Sequence, residues 1–255
     1  MRSRMFYLVL GRHGKAQQKP EGGSVDALVP GAVGEIYEAA KTQLFSELLR
    51  KIVQLPGTFL RHTDKKRTMY SAQALLIGAF ALPAEGEDSS YTPQTQEDLQ
   101  KYGLLQFIDT AEDSRLGMGT VEPCNLNVYK DKERGAAACL NYALQHPEAT
   151  QHEGVPIEPL TSLGPRTTAV VQSSLDTLVQ GRKDLGVMIS HATIIEHPVL
   201  ALINTARQTP IIDINDIGGA FDMGEFAVLR VEQTDGGFYT AALERKGQKY
   251  DVHFS

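Results

Sequence analysis

Two short apolar runs, one near each end of the chain, stop at a histidine. Met5 to Leu10 leads through Gly11 into Arg12-His13-Gly14, and Gly186 to Ser190 leads into His191-Ala192. Neither run alternates apolar with polar residues. A segment that is apolar at every position must be buried on both faces, which is the situation of a strand in a parallel sheet covered by helices on either side. In open sheets of that kind, ligands sit beyond the carboxyl ends of the strands. Both imidazoles are therefore expected to open into one crevice.

The segments between the two runs support the same class. Val33 to Leu55 places Val33, Ile36, Ala40, Leu44, Leu48 and Ile52 at helical spacing, and Pro56-Gly57 ends it. Thr58-Phe59-Leu60 reads as a second strand. Asp64 to Phe80 is again helical, with Thr63 or Asp64 as its cap. Leu104 to Ile108 suggests a third strand. Glu133 to Gln145, Thr167 to Val179 and Ile194 to Ala206 read as helices. Phe226 to Val231 and Phe238 to Leu243 flank a polar, glycine-containing turn and read as an antiparallel hairpin. Alternating strands and helices predict an α/β three-layer sandwich with a mainly parallel sheet between helices. The expectation is one domain over residues 1–255, with about 83–160 inserted as a cap over one end of the sheet.

Composition narrows the function classes. The chain has 255 residues, 42% of them hydrophobic and 22% charged, with a net charge of −6. A general nucleic-acid binder needs a broad basic surface to displace counterions, so no nucleic-acid partner is expected. The first apolar run is too short to span a membrane and lacks a small-residue cleavage site, so a buried strand explains it better than a signal peptide. No membrane partner and a cytoplasmic location are expected. The two cysteines, Cys124 and Cys139, fit neither a zinc site nor a redox CxxC motif and are expected to be reduced thiols.

A histidine beside an arginine at a strand end is a poor core choice and a good one for handling a phosphoryl group. Neutral imidazole is a competent nucleophile near physiological pH. Guanidinium keeps its charge and bonds oxygen pairs in a planar fork.

Together these segments resemble the histidine phosphatase superfamily, the phosphoglycerate mutase-like fold. Arg12-His13-Gly14 after a buried strand is similar to its RHG signature, VGEIYEAAKTQL to its first helix, Thr63 to Thr68 to its second arginine motif, and Ile189-Ser190-His191 to its second histidine motif. The likeness covers most of residues 6–80 and 165–231. It implies that His13 carries a transient phosphohistidine, that Arg12, Arg67 and His191 bind the phosphoryl oxygens, and that water then releases phosphate. It implies no cofactor and no metal, the cations being side chains. The substrate would be a phosphorylated small molecule or a phosphoprotein, and RHGKA also resembles the bacterial phosphohistidine phosphatases.

The chain departs from the family pattern at the general acid. Many members carry a glutamate two residues after a leucine in the central segment, where this chain has Met118 after Leu116. Glu122, then Glu112, are the favoured replacements, with Asp113 also nearby. The other branch of the superfamily places an aspartate after the second histidine, and Ala192 stands there instead. A phosphoglycerate mutase-type phosphotransferase and a non-catalytic phosphate-binding relative are the alternatives. His62 reads as structural or surface, His197 as a packing or capping residue, and His146, His152 and His253 as solvated. Arg115 reads equally as a substrate ligand or a structural ion pair. Oligomeric state is not legible.

Overall fold

The computed structural model describes residues 4–18, 24–43, 57–82, 84–87, 91–118, 132–181, 183–234 and 239–253. A seven-stranded sheet divides the molecule. Its first strand, β1 (Arg4–Arg12), is buried at six consecutive positions, Phe6 to Gly11. The reason is period-two alternation between two apolar layers rather than between core and solvent. Phe6, Leu8 and Leu10 join one cluster, with Val170, Leu175 and Leu178 from one helix and Val199 and Ile203 from another. Tyr7 and Val9 join the opposite cluster, with Val33, Ile36 and Tyr37 and with Ala72, Leu75 and Leu76.

After β1 come two short paired strands, β2 (Ala16–Gln18) and β3 (Ser24–Leu28), in a stretch whose sequence reads as loop. Helix α1 (Ala32–Gln43) follows; the expected extension toward Leu55 lies outside the described residues. Strand β4 (Thr58–His62) and helix α2 (Lys66–Phe80) come next. The predicted third strand, Leu104 to Ile108, is instead a 3-10 segment, Gly103–Phe107, and the strand, β5, starts after it (Asp109–Glu112). A short apolar run does not separate strand from helical turn by itself, and here Leu105 and Ile108 pack with Leu99 and Tyr102 beneath a turn.

The second half carries α3 (Lys132–Gln145), the two-residue strands β6 (Gln151–His152) and β7 (Val155–Pro156), and α4 (Leu160–Gln180), which begins seven residues before the helix read from sequence. Then come β8 (Leu185–Ser190), α5 (Glu196–Asn204), and the antiparallel strands β9 (Phe226–Gln233), β10 (Tyr239–Arg245) and β11 (Gln248–Val252). The sequence reading anticipated β9 and β10 but not β11. The strand order is β11-β10-β9-β1-β8-β4-β5. From β1 to β5 every pairing is parallel, and β9 to β11 form an antiparallel flank. The predicted α/β sandwich is therefore the fold observed, with a mixed sheet.

Register matters more for function than strand count does. Arg12 is level with Ser190, and His62 is level with Ile189. The residues that leave β1, β8 and β4 next are His13, His191 and Thr63, so the three emerge side by side. No described helix is long and apolar enough to cross a membrane. Cys139, buried on α3, is disulfide-bonded rather than the reduced thiol expected; the chain's other cysteine, Cys124, lies outside the described residues. Spacing along a sequence fixes no distance between two thiols, so composition alone could not settle their state.

Candidate active site

The strand ends place His13 and His191 with ring centroids 5.1 Å apart and planes inclined at 72°. The His13 amide donates to the Ser190 carbonyl (3.0 Å), extending the β1–β8 ladder one residue into the site. His13 Nδ1 lies 2.6 Å from the Gly14 carbonyl. A carbonyl only accepts, so Nδ1 carries the proton and the lone pair of the neutral ring is on Nε2. Two further contacts hold the backbone there. Gly14 N–H donates to Ser71 Oγ (3.0 Å), and the Gly224 amide donates to the His13 carbonyl (3.1 Å). Gly224 has φ of +79°, a left-handed conformation that glycine adopts without steric cost.

Both rings are almost fully buried, and burial disfavours imidazolium. It lowers His13 to about 4; Arg67 and Arg12 push the same way, against the Gly14 carbonyl and Asp26. His191 is lowered to about 2, by burial first and then by His13, Arg67, Lys65 and Arg12. Both histidines are therefore neutral at physiological pH, and both feel Arg67 and Arg12. Arg12 donates from Nη1 to the Phe221 carbonyl (2.6 Å). Arg67 is half-buried at the start of α2, where its amide donates to Asp26 Oδ1 (3.2 Å).

A second layer supports Arg12. Glu196, fully buried on α5, accepts the Phe221 amide on Oε1 (2.9 Å), and the carbonyl of the same Phe221 receives Arg12. Burial raises the Glu196 carboxyl, against the pull of the Phe221 amide, Arg12 and Arg245. Arg245 donates from Nε to Glu225 Oε1 (2.8 Å) and from Nη1 to the carbonyls of Ile217 (2.7 Å) and Gly219 (2.8 Å). Its guanidinium carbon sits 4.0 Å from the Phe221 ring centroid. On the far side, Ser190 Oγ donates to the Leu116 carbonyl (2.6 Å), tying residues 113–118 to the end of β8. The chain turns sharply after His191. Thr193 has φ of +65°, which is rare for a β-branched residue, and the amides of Ile194 and Ile195 return to the His191 carbonyl.

Of the residues singled out from sequence, His13, Arg12, Arg67 and His191 lie around one place. Glu112 does not join them. It is exposed at the end of the edge strand β5, level with His62, so that β4 separates it from β8. Glu122 lies outside the described residues. Asp113 is partly buried, which raises its carboxyl, but a bidentate pair with Arg115 (2.9 and 2.7 Å) holds it below the ordinary range. Arg115 is thus engaged with Asp113 and with Ser173 Oγ (3.1 Å). His197 is buried on α5; burial lowers it to about 4, with Glu158 opposing. His152 is buried against Tyr142, with ring centroids 4.3 Å apart, rather than solvated. The short strands β6 and β7 fold that segment back, which its polar sequence did not signal.

Sequence reasoning did not weigh Asp26 or Ser71, and it treated Thr63 as a cap and as the start of the second arginine motif without giving it a role at His191. The observed N-cap of α2 is Lys65, without a side-chain cap bond. Thr63 Oγ1 accepts the Lys65 amide two residues on, a hydroxyl turn that delays the helix start. Among the described residues, no group of three or more His, Cys, Asp or Glu is placed to hold a metal ion.

No family model and no curated protein matches this sequence. Solved structures do. A mycobacterial glucosyl-3-phosphoglycerate phosphatase aligns over 95% of this chain and 97% of its own, with a TM-score of 0.50 and 13% identity. A protein described as mycobacterial hydrolase 2 aligns over 100% and 94%, with a TM-score of 0.49 and 14% identity. The phosphoglycerate mutase of Bacillus anthracis aligns over 96% and 94%, with a TM-score of 0.46 and 11% identity. The chain shares the overall fold of the mycobacterial glucosyl-3-phosphoglycerate phosphatase.

Proposed function

We propose that this protein is a phosphatase that hydrolyses a phosphomonoester or phosphoprotein through a phosphohistidine on His13. The observation that carries the reading is the state of His13: a neutral ring whose Nδ1 proton is committed to the Gly14 carbonyl, leaving Nε2 as the nucleophile. Nε2 attacks phosphorus as the bond to the leaving oxygen breaks, and that oxygen takes a proton. Arg12 and Arg67 stabilise the charge spread over the phosphoryl oxygens, acting in a buried place where fixed cations are effective. His191 completes the clamp once the bound phosphoryl anion favours its charged form. Water then attacks phosphorus, the P–N bond breaks, and His13 returns as neutral imidazole.

The chemistry proposed is metal-independent, because the guanidinium groups supply the positive charge a metal would supply. Glu122 is the proposed general acid. The position of Glu112 on the exposed edge of β5 disfavours that residue, and the ion pair with Arg115 disfavours Asp113. Residues of the 83–160 region are proposed as the cap that receives the leaving group; Leu116 is bonded to Ser190 there.

Hydrolysis of a generic aryl phosphate tests the reading. The wild-type chain should turn over, His13→Ala should lose turnover while remaining folded, and a chelator should have no effect. Turnover that survives His13→Ala would end the nucleophile assignment, and loss on chelation would end the metal-independent one. A folded wild-type chain that binds inorganic phosphate but hydrolyses nothing would identify a binding protein instead.

A further inference from the structure

We infer that Thr63 and Thr68 form a closed pair of buried hydroxyls whose task is to hold His191 as its Nε2–H tautomer, making Thr63 a positioning residue for that histidine. The inference deepens the phosphatase reading, since it concerns one of the residues proposed to bind the phosphoryl group. It rests on where each hydrogen can go.

Both threonines are fully buried. Thr68 Oγ1 lies 2.6 Å from the Lys65 carbonyl, an atom that can only accept, so the single Thr68 hydroxyl hydrogen is used there. Thr68 Oγ1 then has two lone pairs to offer. The Thr63 amide takes one (3.2 Å), and the Thr63 hydroxyl, 3.0 Å away, must be the donor to the other. That uses the only hydrogen on Thr63 Oγ1. Its own lone pairs receive the Lys65 amide (3.2 Å) and His191 Nε2 (3.2 Å). With the hydroxyl hydrogen already placed, His191 Nε2 has to be the donor. Every hydrogen and every lone pair on the two hydroxyls is then matched, and no other assignment satisfies all five contacts.

The register of the sheet puts this pair where it is needed. Thr63 leaves β4 level with Ser190, one residue before His191 leaves β8. Thr68 stands on the first turn of α2, directly after Arg67. The hydroxyl pair therefore joins the second histidine to the element that carries the second arginine. It also gives the two histidines opposite tautomers. His13 carries its proton on Nδ1 and presents Nε2 as a lone pair, while neutral His191 carries its proton on Nε2 and has its lone pair on Nδ1. Two buried imidazoles side by side are thus made inequivalent by their partners alone.

Ring-nitrogen NMR on the labelled full-length chain at neutral pH reads the tautomer directly, with His191→Gln to assign the signals. The Nε2–H form is expected for His191. Thr63→Val removes the acceptor while keeping the branched shape, and should replace that signature by a tautomer mixture. It should also lower kcat for an aryl phosphate by about tenfold or more, the scale found when the partner that orients a metal-binding histidine is lost. Thr63→Ser keeps the hydroxyl and should restore the tautomer and most of the rate. An Nδ1–H or imidazolium His191 in the wild type would overturn the inference, as would a folded Thr63→Val chain with unchanged spectrum and rate. If Thr63→Val does not fold, the wild-type and Thr63→Ser spectra still decide. Because the spectrum needs no turnover, a chain inactive on every phosphate ester would end the phosphatase reading without touching this one.

Discussion

At the scale of single residues, the site depends on charged groups removed from water together with their partners. Arg245 is the clearest case. Its side chain is wholly buried, yet three hydrogen bonds and the Phe221 ring receive the guanidinium. Removing one member of such a set leaves its partners desolvated and unmatched, which costs far more than a surface ion pair contributes. Arg245→Met should lower unfolding stability by about 3 kcal/mol or more, measured by denaturant titration. A change within error of zero would mean that Glu225 and the Ile217 and Gly219 carbonyls find solvent instead. Nothing in the sequence marks Arg245 as different from Arg230 on the neighbouring strand, which is exposed. The difference comes from β10 crossing the 217–225 loop.

At the scale of elements, the two helices on the Tyr7 face approach each other at Gly78 of α2. A Cβ there would stand 2.9 Å from Tyr37 Cα on α1 and would meet the Tyr37 carbonyl oxygen closer still. The obstacle is backbone, which cannot swing aside as a side-chain end can. Gly78→Ala should therefore destabilise the protein by about 2 kcal/mol, within the range for overpacked cores, despite alanine's better helix propensity. Thermal unfolding checks it; an unchanged or raised midpoint would show that α1 shifts freely. The consequence reaches the site, because α2 carries Arg67, Thr68 and Ser71 at its other end. Periodicity located both helices from sequence. It did not show that they touch through a glycine, since an amphipathic pattern names the buried face and not the partner.

For the whole molecule, three of the buried histidines, His13, His191 and His197, set the acid response. Their folded values of about 4, about 2 and about 4 lie below the ordinary 6.5. The unfolded chain therefore binds more protons below that value, and stability must fall as pH drops through it. Glu196 acts in the opposite direction, because its raised carboxyl favours the folded state when protonated. The histidines outnumber it, so the denaturant midpoint should decline from about pH 7 to about pH 5, and His197→Leu should flatten part of the slope. A midpoint that rises on acidification would show that the rings are charged in the folded protein. The sequence by itself determined the two histidine-terminated strands, the two arginines and the α/β class, because burial on both faces and helical spacing are local patterns. It did not determine that β8 inserts between β1 and β4. That ordering sets His13, His191 and Thr63 side by side, brings the threonine pair against His191 and keeps Glu112 away from it. Those relations join residues far apart in the chain, and only the packed sheet supplies the distances on which a hydrogen bond or an ion pair depends.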